Sequence, residues 1–176
     1  MSNLLFPDNE MDKIKMSEAQ YSKMILEQLE PYFLIDTEIV GTGPFARSQK
    51  IDAIITPIDP EPWAKKDVRF GIEFKIPKKD GVAPLKAALE QCSRYKYSIF
   101  GRKPLDLVLL CPGDVEQWGI ENDCCKSTAY RLIDYASIGM IKGIGDDLVI
   151  LSNEQHVQWS KREGVKEGKW NTYKRN

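Results

Sequence analysis

The sequence predicts an α/β fold, a mixed central sheet with helices packed on it. Three observations carry that expectation. Apolar residues recur at helical spacing near 11–30, from Pro84 to Ile99 and near 122–137. Runs rich in β-branched and aromatic residues separate those stretches. Leu105 to Leu110 is a short, nearly continuous apolar run, the pattern of a central strand covered on both faces. The predicted order is α-β-β-β-α-β, followed by an α-β-β extension.

Each element has its own signal. Over 11–30, Ile14, Tyr21, Met24, Ile25 and Leu29 form a helical stripe, and Pro31 ends it because a residue before proline leaves the α region. Tyr32 to Val40 reads as the first strand, with a turn at Gly41-Thr-Gly-Pro44. Lys50 to Thr56 reads as the second and Val68 to Ile76 as the third, stopped by Pro77. These three form an antiparallel meander. Pro84 suits a first helical position, and Leu85, Ala88, Leu89, Cys92 and Ile99 give the next helix its apolar side. That helix carries the chain across to the fourth strand. Asn122 or Asp123 caps the helix near 122–137. Met140 to Lys142 and Leu148 to Leu151 form a closing hairpin, and the polar stretch after Ser152 shows no period.

The 176 residues suit one domain with a sizeable core. The expected divisions are a core at about 12–112, an extension at about 113–152 and a basic tail over 153–176. A net charge of −1 means that a polyanion site must be local. The four cysteines show no CxxC spacing, so reduced thiols are expected. Neither a signal pattern nor a membrane-length apolar run is present, and a cytoplasmic protein is expected. The single histidine, His156, argues against histidine-based phosphodiesterase sites. No P-loop pattern is present.

The chemistry concentrates in Phe70-Gly-Ile-Glu-Phe-Lys-Ile-Pro77. On a strand, Glu73 and Lys75 share one face while Phe70, Ile72, Phe74 and Ile76 share the other. An acid and an amine are costly to place on a buried strand. Asp52 lies twenty-one positions earlier, on the preceding strand. Together these side chains could hold a divalent cation and a water. A second E-x-K, Glu167-Gly-Lys169, sits in a polar tail without apolar alternation and is set aside.

This layout, with Asp52, Glu73 and Lys75, resembles the PD-(D/E)XK nuclease superfamily, although Ile51 stands where the motif has proline. Gln91-Cys-Ser-Arg-Tyr95 adds a Q-x-x-x-Y motif like that of the RecB-type and lambda-exonuclease-like branch. The resemblance implies a restriction-endonuclease-like αβββαβ core over roughly 12–112. It also implies a Mg²⁺- or Mn²⁺-dependent nuclease acting on nucleic acid, with DNA the expected substrate. Asp52, Glu73, the Phe74 backbone carbonyl and Glu18 would hold metal. Lys75 would orient the attacking water, Gln91 would orient the site, and Tyr95 would contact a phosphate. Lys78, Lys79 and Arg94 would guide the backbone, within a larger cluster that includes Lys86, Lys96, Arg102 and Lys103. The cysteines do not follow the family's iron–sulfur pattern, so no cluster is expected. Alternatives are a non-catalytic binding module with the same fold and a dimeric junction-resolving endonuclease. Assembly as a homo-oligomer or in a larger nucleoprotein complex is left open.

Overall fold

The computed structural model describes residues 16–77 and 81–166. Lys78 and Lys79, and the Glu167-Gly-Lys169 copy, lie outside the described residues. Among the described residues, no helix is long and apolar enough to cross a membrane.

Helix α1 spans Glu18–Leu29. It starts later than the stripe predicts because Ser17 caps it. The Ser17 hydroxyl accepts from the Gln20 N–H at 3.2 Å, and the Gln20 side chain accepts from the Ser17 N–H at 2.9 Å. Tyr21, Ile25 and Leu29, four apart, form the buried face. Strands β1 (Phe33–Gly43), β2 (Ala46–Pro57) and β3 (Phe70–Phe74) follow as an antiparallel meander. Helix α2 (Val82–Lys96) crosses over, and β6 (Leu107–Cys111) returns parallel to β3. Pro84 falls in the first turn of α2, one residue pair later than predicted, where an N–H has no helical acceptor in any case.

Two short strands missed in the sequence, β4 (Ile99–Phe100) and β5 (Lys103–Pro104), form a hairpin between α2 and β6. Ile99, expected on the apolar face of the helix, therefore belongs to β4 and is half exposed. Gly101 lets the chain turn there, at φ +69°.

Helix α3 (Asp123–Ala136) is capped by Asn122, whose side chain accepts from the Cys124 and Cys125 N–H groups. It leads into β7 (Gly139–Lys142), parallel to β6, and β8 (Val149–Leu151) pairs antiparallel with β7. The expected tail is corrected over 153–166. This stretch forms β9 (Val157–Ser160) and β10 (Gly164–Val165), which extend the sheet. Trp159 is the anchor, buried against Phe33 with ring centroids 5.2 Å apart.

The resulting mixed sheet runs β10-β9-β8-β7-β6-β3-β2-β1-β4-β5. One core, with α1, holds Phe70, Ile72, Phe74, Leu109 and Cys111. The other, with α2 and α3, holds Val108 and Leu110. Alternate β6 residues thus enter opposite layers, which is why that strand reads as a continuous apolar run.

Candidate active site

The site forms where β2 and β3 separate. Their ladder runs through Ala53↔Ile72 and continues no further toward the end of β3. Beyond it, the Phe74 N–H turns to the Asp52 carboxylate, donating to Oδ2 at 2.8 Å. A side-chain oxygen stands where a strand carbonyl would otherwise accept. That nitrogen belongs to the peptide joining Glu73 to Phe74, so Asp52 sits against the Glu73 backbone. In an extended residue, N–H and C=O leave toward the same neighbouring strand. The Phe74 carbonyl therefore faces the same opening as Asp52.

Glu73 points into the opposite layer from Phe74 and is 1% exposed. Lys75 Nζ stands 2.5 Å from Glu73 Oε1. This is a charge contact without hydrogen-bond alignment: among the described residues, neither Glu73 oxygen has a hydrogen-bond donor. Tyr95 comes close, but its single hydroxyl proton is donated to the Lys50 carbonyl at 2.7 Å. Burial pushes the Glu73 carboxyl up to about 7, with the Asp52 charge adding to the rise and Lys75 opposing it. Burial also raises the Asp52 carboxyl, against the Phe74 hydrogen bond and the Lys75 charge. For Lys75, burial acts downward but the Glu73 contact outweighs it, leaving the amine above its ordinary value. The pair is thus an expensive arrangement.

Glu18 comes from the first turn of α1, and its Oε2 accepts from the Ile76 N–H at 3.1 Å. The helix end is thereby tied to the chain just past β3. Glu18, Asp52 and Phe74 line a cleft of about 290 Å³ together with Thr37, Glu38 and Ser22. Glu73 does not line it; it lies on the α2 side of β3, beyond the Phe74 peptide.

No family model, curated protein or solved structure matches this chain.

Helix α2 supplies Gln91 and Tyr95, one turn apart. Gln91 Nε2 donates to Tyr95 Oη at 2.7 Å. Tyr95 is 3% exposed, so its hydroxyl braces the β2 backbone at Lys50 instead of presenting itself at the surface. Arg94 projects outward from the same helix. Two other members of the basic cluster are already engaged. Lys96 donates to the Ala136 carbonyl at 2.8 Å, and Lys103 pairs with Asp67 at 2.9 Å.

One contributor had no sequence signal. Glu38 sits inside β1 at φ +59°, opposite Asp52 in the register, and pairs with Lys50. A non-glycine residue in that region is uncommon in a strand. An acid on a half-exposed strand reads as an ordinary solvated residue, which is why Glu38 escapes notice.

The resemblance implies a divalent cation, and the donor chemistry fits one. Two carboxylates and a carbonyl are hard oxygen ligands. The buried Glu73 oxygens without donors create a demand that a cation would meet. As the side chains stand, Lys75 meets part of that demand. Among the described residues, no group of three His, Cys, Asp or Glu side chains is gathered around one point.

Proposed function

We propose that this chain is a metal-dependent nuclease with a restriction-endonuclease-like core, hydrolysing phosphodiester bonds in DNA. The observation that carries this reading is the Asp52 carboxylate bonded to the Glu73–Phe74 peptide, beside a buried Glu73 paired with Lys75. The order α1, β1, β2, β3, α2, β6 is consistent with the αβββαβ layout.

In this reading Asp52 and the Phe74 carbonyl would hold Mg²⁺ or Mn²⁺ from the cleft, and Glu73 would join them by turning from its Lys75 contact around the edge of β3. The ion supplies Lewis acidity and activates water when bound. Lys75 moves from its Glu73 contact to the phosphate side, where its charge offsets the negative charge growing on the phosphoryl oxygens. Glu18 orients water at the mouth of the cleft and holds the α1 end against Ile76. Gln91 and Tyr95 are positioning residues that fix β2 at Lys50, two residues from Asp52. Arg94 steers the backbone without reading sequence.

The Glu73–Lys75 contact also supports a second reading. A carboxylate whose charge is already balanced by a neighbouring amine suits a binding module that keeps the fold without turnover. Labelled single-stranded, duplex and branched DNA, incubated with Mn²⁺ or Mg²⁺ and separately with EDTA, discriminates. The nuclease reading expects shortened products with metal and none in EDTA. Intact DNA of every form with either metal would sink it.

A further inference from the structure

We infer that the tip of the β1–β2 hairpin and the C-terminal end of α2 form a stacking platform for unpaired bases of a nucleic-acid strand. This deepens the nuclease reading by assigning its substrate a single-stranded segment. Phe45, at the hairpin tip, is 63% exposed, and Tyr97, the C-cap of α2, is 56% exposed. Their rings meet edge to face, with centroids 5.9 Å apart and planes at 70°. Two large aromatic side chains from separate elements thus share a solvated surface. Aromatic faces hold bases without regard to sequence, because every base has a π-face.

The surrounding charge selects a polyanion. Residues 41–50 contain Arg47 and Lys50 and no acid, and residues 91–105 contain Arg94, Lys96, Arg102 and Lys103 and no acid. Glu38 pairs with Lys50 and Asp67 with Lys103, and Lys96 donates to the Ala136 carbonyl, so the charge offered to a polyanion is that of the exposed Arg47, Arg94 and Arg102. In a chain of net charge −1, both acid-free segments come together at this end of the sheet. Arg47 shares a strand face with Gln49, whose side chain lies, like that of Ser98, against Gly43. Arg94 lies one turn before Tyr97, on the same helix. Gln49 itself is buried with its amide nitrogen lacking an acceptor among the described residues, so this corner carries an unmet donor as well. A second copy of the chain would bring like charge against the same surface.

Placement relative to the cleft also fits. Seven residues of extended chain separate Phe45 from Asp52, roughly 20 Å at about 3.3 Å per residue. A strand stacked at the tip can therefore run along β2 toward the cleft.

The test is fluorescence anisotropy with labelled oligo-dT and with a duplex of equal length, all in EDTA so that cleavage plays no part. The variants are Phe45→Ala with Tyr97→Ala, and Tyr135→Ala as a control for loss of an exposed aromatic outside the Phe45–Tyr97 pair (Tyr135 is 92% exposed). The double variant is expected to lose at least tenfold in oligo-dT affinity, with duplex affinity and circular-dichroism melting unchanged. Tyr135→Ala is expected to match the wild type. Equal oligo-dT binding by the double variant and wild type overturns the platform. So does absence of oligo-dT binding in the wild type, or a concentration-dependent dimer in sedimentation that the double variant abolishes. Because the readout is metal-free, a protein that stacks oligo-dT yet never cleaves DNA would refute the nuclease reading and leave the platform standing.

Discussion

Replacing Lys75 by alanine is expected to lower single-turnover DNA cleavage by about 10²–10³-fold at saturating Mn²⁺, the usual scale for removing one preorganised charge-stabilising group. The geometry makes this a clean substitution. Lys75 lies past the end of β3, with its side chain 31% exposed, so truncating it leaves no core cavity. Its charge is nonetheless the one that faces the buried Glu73 carboxylate. In Lys75→Ala, Glu73 retains its proton to higher pH, and metal affinity near neutrality falls as a result. Rates must therefore be compared at saturating ion, with melting followed by circular dichroism to show that the fold survives. A variant cutting within threefold of the wild type would remove Lys75 from the chemistry.

The second large effect is on stability and has a definite sign. Burial holds the Glu73 carboxyl up to about 7, above its ordinary value of 4.5. Between those values the folded protein keeps a proton that the unfolded chain has released. Folding stability from this group is therefore full below about pH 4.5 and falls as pH rises toward 7. Above that, the ionised buried carboxylate costs on the order of 3 kcal/mol. Glu73→Gln removes the ionisation. In EDTA at pH 8, urea unfolding should show the variant more stable than wild type by up to about 3 kcal/mol, the attraction to Lys75 being already contained in the value of about 7. At pH 5 the two should nearly coincide. Added Mn²⁺ should stabilise the wild type at pH 8, since it binds the folded form, and leave Glu73→Gln unmoved. An equal difference at both pH values would contradict the assigned burial effect.

Much of the site was legible because β3 obeys strict alternation. Phe70, Ile72 and Phe74 enter the α1 layer, and Glu73 faces the other way, as the pattern requires. The double-faced burial of β6 was legible for the same reason, through its unbroken apolar run. What the pattern could not show is that Glu73 and the Asp52 cleft lie on either side of one peptide. That arrangement depends on where the β2–β3 ladder stops, a property of the pair and not of either strand. The tail failed differently. In β9, only Trp159 and the buried Gln158 mark a strand, and a buried glutamine looks polar in sequence. Strands of two residues, such as β4, β5 and β10, are too short for any period. Lys96 was read as a phosphate guide because sequence cannot reveal that the Ala136 carbonyl at the end of α3 lies within its reach.

Calorimetric titration of Mn²⁺ into wild type and Asp52→Asn at pH 7.5 tests the cation pocket most directly. The asparagine Oδ1 can still accept from the Phe74 N–H, so the strand opening is preserved while the charge is lost. The expected result is saturable binding of at least one ion to the wild type and none to Asp52→Asn. A featureless wild-type titration, or identical isotherms for the two proteins, would contradict a metal site built on Asp52 and Glu73.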